Sequence, residues 1–420
     1  MNATRAGERL SGADEVNLLL DRGDSVYVVT VAGALGRGGF VGHGATGRDG
    51  IDLDGLRAGL AARVAAVPRL SATVRGSWGR HRFEPGAVDL AEHVRLAEPV
   101  DGRAGFERLC ARLATTRLRA DGPLWELLLV PGLRSEGPVG WVFRIHHTLA
   151  DGTNVARILD GLFDPVPPGE DPPQRPRRTG STPAGYWSGL LRALGERMPR
   201  TVLLGRLGLG RGIRVFSVDL AAVAERARSR GATVNDLVLA AAGAGARSAF
   251  LAAGEDVPEA LPVSVPVVLP ANASVANQVS AVVVRIPLRE APLDELLPAV
   301  AGISREAVAR TRAQGLPWFA GTRLGGLVMR WFVARQRMTA LLTTNVRGPA
   351  RTRTLCGAPV EAVWALPVLG GNVRTGVAVV SYAGTLTCCV LWSDRLGDAG
   401  AAFAAGMRAA LLTAEDRRRS

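Results

Sequence analysis

No lysine occurs anywhere in the 420 residues; all 51 basic positions are arginine. That excludes chemistries built on an amine side chain, since a pyridoxal phosphate Schiff base, a Walker-type phosphate loop and a protein kinase each need one. No GxSxG occurs, which removes the serine hydrolase reading. Aromatic residues are scarce at 5% and the arginines are dispersed without a nucleic-acid fold signature, so the formal charge of +13 does not read as a nucleic-acid surface. The four cysteines, Cys110, Cys356, Cys388 and Cys389, form no CxxC pair and no metal spacing with the histidines. Reduced core thiols in a cytosolic protein, and no metal site, are expected. No apolar run approaches the ~20 residues that cross a bilayer. The first residues mix Arg5, Glu8, Arg9, Asp14 and Glu15, so neither a signal peptide nor a membrane span is expected there.

What is present is a chain that is 47% hydrophobic, long enough for two or three domains and an ample core. Its positive charge suggests an anionic partner, either a phospholipid surface or a phosphate-rich molecule such as coenzyme A. In the first half, helical spacing over 11–20, 51–67 and 106–118 alternates with strand-like runs at 26–31, 69–83, 126–130 and 139–145. Residues 164–183 hold seven prolines among mixed charges and read as a linker. The second half repeats the mixed pattern, with helices over 220–229, 235–251, 293–312 and 399–412. Strands are expected at 213–218, 263–269, 279–286, 341–346, 362–366, 377–382 and 386–392. Two arginine-flanked apolar stretches, Trp187 to Leu207 and Trp318 to Leu342, have the composition of surfaces that lie on an anionic membrane, or of helices packed on their own lobe.

One stretch brings an acid–base group, a carboxylate and a glycine together: His146-His147-Thr148-Leu149-Ala150-Asp151-Gly152, of the form HHxxxDG. It follows an apolar strand and precedes a helical pattern that Asp151 can cap, so it reads as a strand-to-helix turn. Consecutive side chains on a strand face opposite ways. One histidine therefore faces a cavity while the other packs behind it, and an imidazole with pKa near ~6.5 suits removal of a proton at neutral pH. Gly152 is expected to permit a tight bend and Asp151 to pair with an arginine. The residues alone equally allow a structural turn with Asp151 as a plain cap.

HHxxxDG resembles the signature of the acyltransferases that include chloramphenicol acetyltransferase, plant alcohol acyltransferases, peptide-synthetase condensation domains and the bacterial wax ester synthase/diacylglycerol acyltransferases. The chain is most similar to the last group, whose other marks follow in order. They are Leu10-Ser11 with Asp14, Pro123-Leu124-Trp125-Glu126, Val234-Asn235-Asp236, Asn345-Val346-Arg347-Gly348-Pro349 and Ser381-Tyr382-Ala383-Gly384. Arg347 stands where the family often has proline.

The resemblance implies an α+β fold, a mixed α/β sandwich of two chloramphenicol-acetyltransferase-like lobes with a channel between them. Residues 1–163 would form the first lobe, 164–184 the linker and 185–420 the second lobe. It implies acyl transfer from acyl-CoA, used as donor substrate with no permanent cofactor, to a hydroxyl of diacylglycerol or a long-chain alcohol. The alternative is a condensation-type or acyl-tailoring transferase that takes a carrier-protein or CoA thioester and a specialised alcohol or amine. His147 would be the general base, with His146, Asp151 and Gly152 completing its motif. Asn235, at a helix N-terminus, is the oxyanion candidate. Asn345, Arg347, Ser381 and Tyr382 are the substrate-binding candidates. A cytoplasmic protein with peripheral contact to an anionic membrane or droplet, and no nucleic-acid partner, is expected.

Overall fold

The computed structural model describes residues 7–42, 50–133, 139–166, 198–268, 279–312, 331 and 333–412. The first half runs β1 (Glu8–Arg9), α1 (Gly12–Leu20), β2 (Val28–Leu35), α2 (Leu53–Ala65), β3 (Ala72–Arg75), β4 (Arg82–Pro85), α3 (Leu90–His93), β5 (Val94–Leu96), α4 (Gly102–Leu113), β6 (Trp125–Val130), β7 (Val139–His146) and α5 (Gly152–Leu162). The second half runs β8 (Arg211–Asp219), α6 (Leu220–Arg228), α7 (Val234–Ala252), β9 (Ala260–Val268), β10 (Val279–Pro287), α8 (Leu293–Arg312), β11 (Leu341–Arg347), β12 (Thr354–Leu355), β13 (Ala358–Leu366), β14 (Thr375–Tyr382), β15 (Thr385–Ser393) and α9 (Asp398–Leu411).

Two six-stranded sheets dominate, in the orders β12-β13-β2-β7-β6-β5 and β10-β9-β11-β14-β15-β8, beside a small β1-β4-β3 sheet. Their central strands are rich in valine and buried on both faces. The first sheet does not follow the chain division expected at 164–184. Its β13 comes from the second half and pairs antiparallel with β2, from Leu366 opposite Thr30 to Val360 opposite Leu35. That pairing needs Gly33, because a Cβ there would sit 2.0 Å from the carbonyl oxygen of Ala362 and 2.4 Å from the indole nitrogen of Trp141.

Asp164 fixes β12 and β13 to the end of α5. Its carboxylate pairs with Arg63 at 2.7 Å and accepts the N–H of Cys356 at 3.0 Å and of Gly357 at 2.8 Å. This holds Cys356, at φ 45°, in a turn that side-chain-bearing residues seldom adopt. In the second lobe the small residues of α7 let α9 approach closely; a Cβ on Gly245 would lie 2.6 Å from the carbonyl oxygen of Phe403. The β14–β15 hairpin closes through Ala383 and Gly384, both at positive φ, as its Ala-Gly-Thr sequence signals.

Several elements differ from expectation for local reasons. The strand expected over 69–83 is a short 3-10 turn followed by the β3–β4 hairpin, bent where Gly76 and Gly79 take positive φ. The helix expected over 106–118 is displaced to Gly102–Leu113, and beyond it the carbonyls of Leu113 and Thr116 accept from the guanidinium of Arg144. Within the stretch Trp187 to Leu207, residues 198–207 form turns that bury Met198, Leu203 and Leu207, while 187–197 lie outside the described residues. Of Trp318 to Leu342, residues 318–330 also lie outside them, as do 167–184 of the expected linker.

Candidate active site

The HHxxxDG turn joins β7 to α5 as its sequence indicates, and the two imidazoles separate as strand alternation requires. His146 is buried and fully engaged: its Nδ1 accepts the N–H of Thr148 at 3.1 Å, and its Nε2 lies 3.3 Å from Oδ2 of Asp21. Burial alone would raise the Asp21 carboxyl, but the hydrogen bond and charge of His146, the N–H of Tyr27 and the charge of Arg117 outweigh it, holding Asp21 below the usual carboxylate range. The backbone on either side is fixed too, with His146 N–H on the carbonyl of Leu124 and His147 N–H on that of Tyr27. Leu124 is held by its neighbour, since Trp125 is buried, stacks on His93 and donates from its indole to the carbonyl of Leu70 at 2.7 Å.

His147 turns the other way, into the wall of a cavity of about 330 Å³ between the two sheets. Nδ2 of Asn17 lies 3.3 Å from its Nδ1 and 3.4 Å from its main-chain oxygen. Burial pushes the imidazole below the ordinary histidine value; its own carbonyl and the Asp151 carboxylate oppose that shift, and His146 adds to it. The shift favours the neutral ring, the form in which it can accept a proton.

The same cavity is lined along one face of α5 by Gly152, Val155, Ala156, Leu159, Asp160 and, just past the helix end, Phe163. The opposite walls come from Val29 and Val31 of β2, Val363 and Ala365 of β13, Thr343 to Val346 of β11, and Val380 with Tyr382 of β14. An 11-residue helix is roughly 16 Å long. The result is a long, mainly apolar space with an imidazole in its wall, suited to a chain-like hydrophobic substrate.

Three expectations are corrected. Among the described residues no arginine pairs with Asp151; its carboxylate accepts the N–H of Asn154 at 2.8 Å and caps α5. Arg353, which lies nearby in the chain's fold, pairs instead with Asp160 at 3.1 Å. Gly152 does not adopt a positive φ, so no tight bend demands it; a Cβ there would stand 4.0 Å from Val346 across the cavity. Asn235 stands in the first turn of α7, behind the capping box of Thr233 and Asp236, but it does not line the cavity. It meets the site through Asn345, whose Nδ2 lies 3.4 Å from its Oδ1.

Of the substrate-binding candidates, Asn345 and Tyr382 line the cavity, while Arg347 and Ser381 face each other in register on β11 and β14 outside its lining. The hydroxyl of Tyr382 accepts from Arg353 N–H at 2.7 Å and donates to the carbonyl of Val360 at 2.9 Å, so only its ring is offered to a ligand. The residues that sequence reasoning missed are Asn17 and Asp21. With Asp14 they fall at helical spacing on one face of α1, a pattern visible in the sequence but without a mark of what it would touch.

Residues 41–195 match the wax ester synthase/diacylglycerol acyltransferase catalytic domain, and residues 275–413 match the C-terminal domain of the same family. The chain belongs to this family. It is 28% identical over 363 residues to a probable diacylglycerol O-acyltransferase of Mycobacterium tuberculosis, covering 74% of this chain and 76% of the relative. A putative diacylglycerol O-acyltransferase of the same species is 27% identical over 351 residues, 71% of this chain and 68% of the relative. The fold matches the wax ester synthase/diacylglycerol acyltransferase of Marinobacter aquaeolei with TM-score 0.68 at 16% identity, over 96% of this chain and 98% of that one. It also matches the first condensation domain of the calcium-dependent antibiotic synthetase with TM-score 0.66 at 16% identity, over 97% and 96%. The expected α+β, two-lobed chloramphenicol-acetyltransferase-like architecture is the one observed.

Proposed function

We propose that the protein transfers an acyl group from an acyl-CoA thioester to the hydroxyl of a diacylglycerol or long-chain alcohol, with His147 as general base and no covalent acyl-enzyme. The observation that carries this reading is the imidazole of His147 set in the wall of an apolar cavity that runs the length of α5. In this reading His147 takes the acceptor proton as the hydroxyl oxygen attacks the thioester carbonyl. The carbon–sulfur bond then breaks and the same proton passes to the departing coenzyme A thiolate. General-base assistance of this kind contributes about 10²–10⁴ in rate. The oxyanion donor in this reading is the amide of Asn345, which lines the cavity and is held by Oδ1 of Asn235. One well-placed donor stabilises such an oxyanion by roughly 3–4 kcal/mol.

Acyl-CoA enters as a substrate, and no resident cofactor takes part. The positive charge favours an enzyme that meets its lipid acceptor at an anionic membrane or droplet surface. Thiol release from palmitoyl-CoA, measured with dioleoylglycerol, hexadecanol or a soluble amine as acceptor, tests the proposal. Release that needs one of the two lipid alcohols supports it. Release only with the amine, or only from a carrier-protein thioester, would favour a condensation-type activity instead.

A further inference from the structure

Among the described residues the most exposed large apolar side chain is Leu209, at 84%, followed by Trp331 at 61%. A lone exposed leucine needs no explanation. This one stands on a loop that is tied down on both sides of it. Gly208 N–H donates to Oγ of Ser393 and Gly210 N–H to Oδ2 of Asp394, both at 2.9 Å, while the guanidinium of Arg211 donates to the carbonyls of Gly208 and Gly210 at 2.8 and 2.9 Å. Glycine is required at 208, because a Cβ there would collide with the Asp394 carboxylate that anchors the loop. Leu209 therefore cannot fold back onto the protein without breaking these bonds. It lies just beyond the arginine-flanked stretch that ends at Leu207, whose own Leu203 and Leu207 are buried.

The setting is basic and borders the cavity. Arg206 and Arg395 are exposed near the loop, and Arg374 donates to the carbonyl of Arg206 at 3.2 Å. Gly205 N–H bonds the carbonyl of Asn372, and Val333 packs against Gly371 in the same 370–374 segment. Two residues before Val333 stands Trp331, with the exposed guanidinium of Arg335 5.4 Å from its ring centre. Of the nearby carboxylates, Asp394 and Glu255 accept the N–H groups of Gly210 and Val202, and Asp24 stands by the guanidinium of Arg211. Arg206, Arg335 and Arg395 are left to face solvent. Pro367 and Val368 line the cavity and lead straight into this segment. Gly370 lies against the hydroxyl of Tyr27, whose carbonyl accepts the N–H of His147 at 2.8 Å, so the surface adjoins the His147 end.

We infer that this surface, centred on Leu209 and Trp331, is the face by which the enzyme docks on an anionic bilayer, and that the lipid acceptor passes from there to His147. The inference rests on the acceptor being a lipid. Leu209 and the Trp331 ring enter the headgroup boundary, where a leucine on a rigid loop loses little freedom and an indole finds both apolar and polar neighbours. Arg206, Arg335 and Arg395 meet the lipid phosphates, which a guanidinium binds through paired donors. An acceptor leaving the bilayer beside residues 366–370 reaches the cavity without crossing water.

The test uses the full chain with Leu209→Asp and with the double change Arg206→Glu, Arg395→Glu. Co-sedimentation with phosphatidylcholine/phosphatidylserine vesicles reads binding. Thiol release from octanoyl-CoA reads turnover, with dioleoylglycerol held in those vesicles or with dissolved 1-hexanol as acceptor. Each variant is expected to lower vesicle partitioning by about tenfold or more and turnover of vesicle-held dioleoylglycerol with it, while turnover of hexanol stays within about twofold of wild type. Either variant carries the test alone if the other fails to fold. Wild-type partitioning in the folded variants would overturn the inference and leave the lipid-acceptor reading standing. A raised KM for octanoyl-CoA with hexanol, at unchanged partitioning, would also overturn it and assign the arginines to the coenzyme. Loss of thiol release with every alcohol in the wild-type enzyme would remove the reading beneath it, a result seen separately from partitioning.

Discussion

Oδ2 of Asp21 lies 3.3 Å from Nε2 of His146, and the opposite ring nitrogen is occupied by the N–H of Thr148. The first histidine of the motif is thereby a fastener between α1 and β7. Replacing Asp21 by Asn should cost about 1–3 kcal/mol, since a buried charge-assisted hydrogen bond is weakened. The loss should depend on pH in a defined direction. The carboxyl of Asp21 is held below its ordinary value, so its contribution is complete above the unfolded value of about 3.9 and disappears as pH falls through the folded value. Urea melts at pH 7 and at successively lower pH check this; a wild-type-to-variant difference that stays constant into strong acid would contradict it.

The apolar face of α5 makes a second claim. Ala156 is its smallest side chain after Gly152 in the cavity lining, midway between the Asp151 and Phe163 ends. Ala156→Phe should occlude the middle of the space, reducing kcat/KM for palmitoyl-CoA by about tenfold or more while octanoyl-CoA is affected less, because each methylene excluded from an apolar site forfeits about 0.8 kcal/mol. A donor series from 4 to 18 carbons reads this directly. Equal losses at every length would place the acyl chain elsewhere.

Much of this arrangement is written locally. The HHxxxDG turn, its strand and its helix follow from hydrophobic periodicity and from Asp151 at a capping position, and the Ala383-Gly384 hairpin follows from turn chemistry. What is not legible is set by distant partners. Nothing around Thr354 to Leu366 says that this run joins the sheet of the opposite lobe, because register with β2 is a long-range choice. Asn17 and Asp21 likewise acquire meaning only when α1 packs behind residues about 130 positions away. The arginine expected for Asp151 failed for the opposite reason: a local backbone N–H, already within reach at the helix start, satisfied the carboxylate first.

The pH dependence of turnover should report His147. Because burial holds its imidazole below the ordinary value, the acid limb of kcat/KM should have its midpoint under about 6.5, with activity retained as pH is lowered toward it and lost below it. Thiol release measured between pH 4.5 and 8.5 with a soluble donor checks this. A midpoint above about 7 would mean that the protonated ring is favoured, against the buried setting.

Surface attraction of roughly 1 kcal/mol per arginine near an anionic bilayer, screened over about 8–10 Å, predicts salt-sensitive membrane binding for a chain of charge +13. Co-sedimentation with vesicles containing phosphatidylserine should occur at low salt, weaken at 0.5 M NaCl, and be absent with phosphatidylcholine alone. Absence of binding under every condition would separate the enzyme from a lipid surface.

The central claim is that His147 is the base and little else. His147→Ala, measured by thiol release from palmitoyl-CoA with a lipid alcohol acceptor and matched by circular dichroism and melting temperature to wild type, tests it most directly. The expected result is an intact fold with activity reduced by about 10²-fold or more. Activity within tenfold of wild type in a folded variant would contradict it.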